Sequence, residues 1–524
     1  MKRGMIMSEF WSRRGRSSLL VFAALLSSCG PALVRAATST HVACATLERL
    51  ALKDARVLSA ETVSGPSFLP PGAKEPLEAL PAFCRVTGVI SPAIRFEVWL
   101  PLTGWNGKFE GTGNGGYAGA IVYRELADGV RRHYAVADTD MGHRSTLPDP
   151  GSWALGHPQL VMDQGYRAQH ETALEAKVIV RAFYRTKPRH SYFVGCSSGG
   201  WQALTEAQRY PREYDGIIAG APAMEVIHLH AGTIWTHLAT LEIAPSKFRL
   251  VTNAVLAECD AKDGVKDGLL TDPRACHFSP SQLACRAGES PETCLTSTEV
   301  AAFQRIYEGL HFSSGQPIYP GWPRGVEYAL TLTRTPFVAA LAASTFKDMV
   351  FDDPSWDFHK IDYDRAVRLG DQKVGAILNN ASPNLQAFRR AGGKLILWHG
   401  WADPLISPLH TLEYYQKVAA FFAKGRGDER AQVAGIEDFA RLYLAPGVNH
   451  CGGGPGPDEF DALGALESWV EQGVAPERIV ASHRTHGTVD RTRPLCPYPR
   501  VAVYLGRGST DAAASFACRD PATS

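Results

Sequence analysis

The chain has 524 residues, of which 45% are hydrophobic and 20% are charged, a composition typical of globular proteins. Its 54 Lys and Arg residues nearly balance its 53 Asp and Glu residues. Because nucleic-acid binding needs an excess of basic side chains, this balance excludes nucleic acid as an expected partner. The length allows one large domain with an insertion, or two domains.

The first 36 residues have the order of a secretory signal peptide. Basic residues precede an apolar run at 19–26, and small residues follow as far as Ala36. The apolar run is too short to span a bilayer, and no later run is long enough for a transmembrane helix. We expect cleavage near Ala36, while a lipoprotein-like segment that ends at Cys29 leaves lipidation open. The predicted location is therefore secreted or periplasmic.

Strand patterns alternate with helical patterns along most of the remaining chain. This alternation predicts an α/β fold with a mostly parallel sheet covered by helices. Residues 223–390 interrupt it with four cysteines and an Asp/Gly-rich loop, and we predict an inserted lid domain there. Residues 37–222 and 391–524 then form the main domain. The predicted strands are 93–100, 134–137, 192–194, 216–219, 395–398 and 442–444, and the predicted helices are 169–184, 201–209 and 460–471.

Residues 195–199, with the sequence GCSSG, match the G-x-S-x-G pattern of a nucleophile elbow. In this device two glycines permit a sharp turn from strand to helix, which exposes the serine oxygen. The strand pattern before the match and the helical pattern after it supply the required setting. Ser197 is therefore the predicted nucleophile, and a glycine-rich turn without chemistry is the alternative.

A serine hydroxyl needs a base within hydrogen-bond reach and a carboxylate that orients the base. In α/β-hydrolases these partners follow in the order Ser, Asp, His, each on a loop after a strand. Asp403 follows the strand pattern at 395–398, and His450 follows the one at 442–444. The order is therefore correct for a triad with Ser197. Taken singly, Asp403 would also suit a helix cap and His450 a surface position.

Two cysteines flank the predicted nucleophile and base. Cys196 precedes Ser197, and Cys451 follows His450. If the serine and the imidazole hydrogen-bond across about 3 Å, their neighbours fall within the Cα separation of about 4.4 to 6.8 Å that a disulfide tolerates. We predict a Cys196–Cys451 bridge. Of the 11 cysteines, Cys29 lies in the signal segment, and the even number left is expected for disulfides in an exported protein.

An acidic loop within the predicted lid has the composition of a calcium site. Asp260, Asp263 and Asp267 are spaced three and four residues apart among glycines that let the backbone turn inward. Hard oxygen ligands of this kind suit calcium, with the carbonyls of Val265 and Leu269 as further ligands. The spacing is not that of an EF-hand. We predict a structural calcium ion distant from the chemistry, and a solvated Asp-Gly turn is the alternative.

Taken together, these motifs resemble the tannase and feruloyl esterase family, which includes bacterial hydrolases of mono-(2-hydroxyethyl) terephthalate. The resemblance implies an α/β-hydrolase fold with a large lid, and hydrolysis of esters of aromatic acids such as gallate, ferulate or terephthalate. It covers nearly the whole chain after the signal segment. The matching segments are WNGKF at 105–109, YFVGCS at 192–197, YDGI at 214–217, GAP at 220–222, HG at 399–400, PGVNHC at 446–451 and RTRPLCPYP at 491–499.

The resemblance also implies further site residues. By similarity, the backbone N–H groups of Gly116 and Ser198 would form the oxyanion hole that stabilises a tetrahedral intermediate. Relatives carry a structural calcium ion at the place of the acidic loop, which supports that prediction. Proximity and the resemblance together pair the remaining cysteines as Cys44 with Cys84, Cys259 with Cys276, Cys285 with Cys294, and Cys496 with Cys518.

We therefore predict an exported serine ester hydrolase whose partner is a small aromatic ester. Ile406 and His399, on either side of Asp403, are predicted to line the substrate site, with a buried structural role for His399 an equal alternative. Two other functions stay open: an acyltransferase, in which an alcohol replaces water, and a non-catalytic calcium-dependent binding protein, which would not need an intact triad. Nothing in the sequence indicates the oligomeric state.

Overall fold

The computed structural model describes residues 41–117, 119–145 and 149–520. The predicted signal segment, with Cys29 and Ala36, lies outside these residues. Within the described part of the chain, no helix is long and apolar enough to cross a membrane. The described residues form one compact unit.

Among the described residues, the strands are numbered β1 to β15 in chain order with the ranges given below, and nine of them form the main sheet, in the order β1-β2-β3-β5-β4-β6-β7-β10-β11. The strands in chain order are β1 (Ala55–Val63), β2 (Phe83–Ile90), β3 (Ile94–Pro101), β4 (Lys108–Thr112), β5 (Ala135–Thr139), β6 (His190–Cys196), β7 (Gly216–Gly220), β8 (Leu310–His311), β9 (Pro317–Tyr319), β10 (Lys394–Gly400), β11 (Ala440–Ala445), β12 (Ile479–Thr485), β13 (Thr488–Leu495), β14 (Val501–Tyr504) and β15 (Phe516–Arg519).

The sheet is antiparallel at one edge and parallel elsewhere. Strands β1, β2 and β3 pair antiparallel, and β3 also pairs antiparallel with β5. From β5 through β4, β6, β7 and β10 to β11, every pairing is parallel. The α/β class predicted from the sequence is confirmed. The carboxyl ends of β6, β10 and β11 therefore lie along one edge of the sheet, where functional residues of such folds are usually found.

Helices cover both faces of this sheet. They also build the insertion, which is the segment between β7 and β10. The α-helices are α1 (Tyr123–Arg131), α2 (Pro158–Met162), α3 (Ala168–Tyr184), α4 (Ser198–Arg209), α5 (Val226–Leu241), α6 (Pro245–Cys259), α7 (Ser297–Glu308), α8 (Pro336–Ser344), α9 (Tyr363–Gly370), α10 (Ala376–Leu378), α11 (Gln386–Arg390), α12 (Pro408–Ala423), α13 (Glu429–Ala434) and α14 (Ala462–Gln472).

Separate apolar clusters stabilise the sheet and the insertion. On one face of the sheet, α3, α4 and α12 bury residues such as Ile179 and Tyr415 against the strands. On the other face, α14 buries Leu466 and Trp469. Burying the apolar sides of these helices on the sheet is what orders them.

The segment between β7 and β10 has its own core, centred on α5, α6, α7 and α8. This cluster also takes in Trp201 and Ile406 from the main domain, so the insertion packs directly over the ends of the parallel strands. At its far end, Leu385 and Phe388 pack into the core beneath the sheet instead. The predicted insertion spans 223–390. Its last residues, around Leu385 and Phe388, pack with the main domain.

Candidate active site

The turn from β6 to α4 places Ser197 in a strained conformation. Its backbone has φ 65° and ψ −124°, in the left-handed half of the map that residues with a side chain rarely adopt. The flanking glycines make this turn feasible, because a Cβ on Gly195 would lie 2.4 Å from the backbone of Gly199. The turn lifts the serine side chain above the sheet at the start of α4, as the elbow pattern predicts.

The structure brings Ser197, His450 and Asp403 together as a hydrogen-bonded relay. The Nε2 atom of His450 lies 2.9 Å from the hydroxyl oxygen of Ser197. Its Nδ1 atom lies 2.7 Å from a carboxylate oxygen of Asp403. Since that oxygen accepts, Nδ1 carries a proton and the neutral ring has Nε2 free to accept the serine proton. These three side chains therefore have the geometry of a general base, its orienting carboxylate and a nucleophile.

Asp403 is fully buried and accepts four hydrogen bonds. One carboxylate oxygen accepts from the backbone N–H groups of Leu405 and Ile406, at 2.8 and 3.0 Å. The other accepts from His450 and, at 3.0 Å, from Nε2 of His399. Burial alone would raise the pKa of Asp403, but the charge of His450 and the bonds from the two histidines outweigh it and hold the pKa below its usual range. The carboxylate therefore stays ionised.

His399 does not line the substrate site, which corrects one of the two alternatives given for it. Its side chain is fully buried, with Nδ1 2.8 Å from the hydroxyl of Thr411 and Nε2 between Asp403 and the carbonyl of Ile406. Because both neighbours of Nε2 are acceptors, Nε2 carries the proton and donates. His399 therefore orients Asp403 from the side away from the cavity. Because it is fully buried at the end of β10 and does not line the cavity, it does not contact substrate.

The bridge between Cys196 and Cys451 is present, with a Cα separation of 5.9 Å. It links the end of β6 to the loop after β11, across a sequence separation of 255 residues. The residues adjacent to the nucleophile and to the base are thus covalently joined. In the chain-entropy model such a link contributes about 5 kcal/mol of stability.

The glycine-rich loop after β4 faces the nucleophile elbow at very short range. A Cβ on Gly113 would lie 2.4 Å from the Cα of Gly199, so only glycine lets the two turns pack together. The N–H groups of Gly113 and Asn114 are already used, by the carbonyl of Val194 and the side chain of Gln202.

Gly116 has φ 55° and borders the same cavity as Ser197, and Ser198 is the first residue of α4. Within the described part of the chain, neither backbone N–H donates a hydrogen bond to another residue. Both predicted oxyanion donors are therefore free to bind a substrate oxygen.

A cavity of about 560 Å³ opens at Ser197. Ile406, predicted to line the substrate site, is in its wall. The wall is mainly apolar and is made by the insertion, the strand ends and the glycine-rich loop, with Arg124 and Glu125 of α1 as its charged members. The side chains that line it include Val194, Ile218, Leu229, Phe337, Val338, Leu341, Trp398, Leu405 and Ile406.

The insertion also supports the Asp403 loop by hydrogen bonds that the sequence did not reveal. The indole N–H of Trp322 donates to the carbonyl of Asp403 at 3.0 Å. The backbone N–H of Ser407 donates to the hydroxyl of Tyr319 at 3.0 Å, and the Ser407 hydroxyl donates to the carbonyl of Gly321 at 2.6 Å. The segment around Trp322 is therefore a fixed support for the triad.

The acidic loop has the ligand types that calcium prefers, but its carboxylates are engaged within the protein. Asp260 and Asp263 accept backbone N–H groups of their own loop. Asp267 accepts from the N–H of Leu269 and pairs with Arg493 at 2.5 Å, where both side chains are almost fully buried. Within the described residues, no three Asp, Glu, His or Cys side chains are gathered closely enough to hold a metal ion. The oxygen donors fit calcium, and their present arrangement does not form a cage.

The other predicted cysteine pairs are all bridged in the structure. Cys259–Cys276 flanks the acidic loop, and Cys285–Cys294 closes a short loop before α7. Cys44–Cys84 ties the N-terminal turn to β2, and Cys496–Cys518 ties β15 to the residue after β13. Several disulfides in one chain are typical of proteins that work in oxidising compartments.

A Ser-His-Asp relay at the carboxyl ends of parallel strands, beside a glycine-rich loop, defines the α/β-hydrolase class of enzymes. The family model described as "Tannase and feruloyl esterase" matches residues 81–519. An uncharacterized esterase of Xanthomonas campestris pv. campestris is 38% identical, with 96% of this chain and 95% of that protein aligned. The mono(2-hydroxyethyl) terephthalate hydrolase of Piscinibacter sakaiensis is 32% identical, with 84% of this chain and 86% of that protein aligned.

Solved structures agree with this relationship. Feruloyl esterase B from Aspergillus oryzae superposes with a TM-score of 0.83 at 27% identity, covering 91% of this chain and 99% of that one. The tannin acyl hydrolase from Aspergillus niger, at 22% identity and a TM-score of 0.72, shares the fold, with 90% of this chain and 92% of that one covered. The chain belongs to the tannase and feruloyl esterase family, and it is a carboxylic ester hydrolase of that type.

Proposed function

We propose that this protein hydrolyses esters of aromatic carboxylic acids, of the feruloyl, galloyl or terephthaloyl type, through an acyl-enzyme on Ser197. The observation that carries the proposal is the 2.9 Å contact between Ser197 and His450 at a cavity whose wall is mainly apolar. An aromatic acyl group suits such a wall, since burying its ring removes apolar surface from water. The names of the relatives from Piscinibacter sakaiensis and Aspergillus oryzae support the same substrate class.

In the first half of the reaction, the Ser197 oxygen attacks the ester carbonyl carbon as His450 Nε2 accepts the hydroxyl proton. The carbonyl oxygen gains negative charge, and the N–H groups of Gly116 and Ser198 stabilise it. His450 then donates its proton to the leaving alcohol, and the acyl group stays on the serine. Asp403, which remains ionised, stabilises the imidazolium that forms in between.

In the second half, a water molecule gives a proton to His450 and attacks the acyl carbon. The tetrahedral intermediate collapses, the acid leaves, and the proton returns to Ser197. An acceptor alcohol in place of water would make this step an acyl transfer.

The test is hydrolysis of methyl gallate, methyl ferulate, chlorogenate and mono-(2-hydroxyethyl) terephthalate by the oxidised protein. We expect turnover of at least one ester, and a loss of roughly 10⁴-fold or more in Ser197→Ala. Chromatography of the products with and without added alcohol separates hydrolysis from acyl transfer. Absence of turnover of all four esters by folded protein, or turnover retained in Ser197→Ala, would contradict the proposal.

We also propose export, with removal of the segment before about residue 37. The order of basic, apolar and small residues in that segment supports it, as do the five disulfide bonds of the described chain. N-terminal sequencing of protein recovered from the periplasm and the medium tests it. A start near Ala37 is expected, a start at a lipidated Cys29 would show the other route, and protein kept in the cytoplasm would contradict export.

As a separate proposal, the acidic loop binds a structural calcium ion. Asp260, Asp263 and Asp267 with two backbone carbonyls would hold it, after the carboxylates turn from their present N–H partners. We expect the thermal midpoint to fall by several degrees in excess chelator and to recover with added calcium. Asp263→Asn should abolish this dependence, and Asp272→Asn, outside the loop, should keep it. Equal midpoints with calcium and with chelator would contradict the proposal.

A further inference from the structure

The cavity at Ser197 has a second polar feature that the triad does not use. One wall is made by α5 and α8 of the insertion, where Phe337, Val338 and Leu341 present apolar side chains. Within this wall, His230 and Thr233 line the cavity one turn apart on α5. Polar side chains in an otherwise apolar wall are the usual means by which a site fixes the orientation of a ligand.

His230 is held from behind by two residues that do not line this cavity. Its Nδ1 atom lies 2.5 Å from the hydroxyl of Thr345 and 3.4 Å from the hydroxyl of Tyr117. The two hydroxyls are themselves hydrogen-bonded. The Tyr117 ring also meets the imidazole edge to face, with ring centroids 5.9 Å apart. Since Tyr117 follows directly on Gly116, the imidazole is positioned relative to the oxyanion loop.

The other ring nitrogen, Nε2, has no hydrogen-bond partner within the described residues. Two polar neighbours in the cavity wall have already used their donor hydrogens. Thr233 donates its hydroxyl proton to the carbonyl of Leu229 at 2.9 Å, and the amide group of Asn114 donates to Asp138 and Thr139. Away from the triad and the oxyanion loop, His230 thus offers a substrate an uncommitted nitrogen in this buried wall.

The imidazole of His230 is neutral when the enzyme works near neutral pH. Burial lowers its pKa to about 4. A neutral ring suits an uncharged oxygen substituent, because it forms a hydrogen bond without bringing an ion into the cavity. It also makes His230 unsuitable as a second general base, and Ser197 already has His450 for that purpose.

We propose that His230 is a specificity-determining residue, whose Nε2 atom forms a hydrogen bond with a hydroxyl group on the aromatic ring of the acyl group. The inference rests on the proposed function and specifies which substituent on the aromatic ring the site prefers. A ring without such a hydroxyl would leave Nε2 unpaired in a closed site. A site built in this way discriminates strongly against the unsubstituted analogue, since the penalty is the unpaired polar group and not only a lost contact.

The test compares kcat/KM for methyl cinnamate and for its 3- and 4-hydroxylated forms. We expect the wild-type protein to prefer the better hydroxylated ester by about tenfold or more. In His230→Phe, which keeps a planar ring and removes the nitrogen, this ratio should fall to about one. His230→Gln, which restores a polar side chain, should recover part of the ratio. Thr252→Val, which removes a hydroxyl that makes the same kind of bond on α6 outside this cavity, should keep the wild-type ratio.

Thermal unfolding of each variant checks that it is folded. A further measurement needs no substitution: in wild-type protein, hydroxycinnamate should inhibit more strongly as a product than cinnamate. A wild-type ratio near one, or a ratio retained in His230→Phe, would overturn the role of His230 while both esters are still hydrolysed. If wild-type protein hydrolyses neither ester but turns over another ester of the panel named above, the inference fails and the proposed function stands. If it hydrolyses none of the four panel esters either, the proposed function fails as well.

Discussion

The loops that carry His450 and Asp403 are held in place by different means. The His450 loop is joined covalently to the nucleophile turn through the Cys196–Cys451 bridge, and both cysteines belong to the main domain. The Asp403 loop has no covalent link and is held by hydrogen bonds from His399 and from Trp322 of the insertion. The base is therefore fixed relative to the nucleophile independently of the insertion, whereas the orientation of the carboxylate depends on how the insertion packs.

The largest effect is expected from removing the covalent link. In the double variant Cys196→Ala, Cys451→Ala we expect kcat/KM to fall by about a hundredfold, since small misplacements of reacting groups carry penalties of this size. The variant should also lose up to about 5 kcal/mol of stability in the chain-entropy model. Kinetics and urea unfolding measure both. The matched control is Cys285→Ala, Cys294→Ala, which removes a bridge from the insertion and should leave kcat/KM near the wild-type value.

A smaller loss is expected when the bond from His399 to Asp403 is removed. A hydrogen bond to a charged group is worth about 1.5 to 3 kcal/mol, so kcat should fall about tenfold to a hundredfold in His399→Phe with little change in KM. His399→Gln, which restores an N–H donor, should recover part of the loss. An increase in KM with kcat unchanged would show that His399 contacts substrate after all.

A loss of about fivefold in kcat is expected in Trp322→Phe, which removes one neutral hydrogen bond worth about 1 kcal/mol from the Asp403 loop. Trp105→Phe is the matched control, because it removes an equivalent indole bond, to the carbonyl of Lys108, far from the triad. It should lower stability without lowering kcat. Equal activity in the two variants would show that the insertion does not support the carboxylate.

The smallest effect is in the pH profile. Because the pKa of Asp403 is below its ordinary value of about 3.9, the carboxylate stays ionised as the pH falls towards about 4. The acid side of log kcat/KM should therefore have a slope of one, set by a single protonation. In His399→Phe one of the bonds that lower this pKa is gone, so the pKa rises and the slope should steepen. A wild-type slope of two would show that Asp403 titrates together with the base.

The main domain could be predicted from the sequence to a large extent. The strands that carry the triad have short apolar patterns, and the elbow motif with its flanking cysteines is local in the chain. Those signals sufficed to place Ser197, Asp403 and His450 in one site and to join Cys196 to Cys451. The antiparallel edge strands β1 and β2 were missed, since β1 alternates between half-buried and exposed positions and β2 between half-buried and buried ones, without a strong apolar run.

The insertion could be predicted only as a region. No regular alternation of strands with its helices indicates how those helices pack. The contacts that place its side chains at the active site join residues far apart in sequence. Trp322 meets Asp403 across 81 positions, and His230 meets Thr345 across 115. No local pattern marks either pair. A run of covarying positions in an alignment would be the signal for such contacts.

The bridge beside the triad also has a consequence for when activity appears during the life of the protein. Its two cysteines are 255 positions apart, and the second lies beyond the last strand of the main sheet. The bond can therefore form only after the chain has been made as far as Cys451 and has met oxidising conditions. Until then the serine and its base are not locked together. In a reducing cytoplasm the bridge would be absent, so the newly made chain would not be a fully assembled hydrolase that could cleave esters of the cell that makes it.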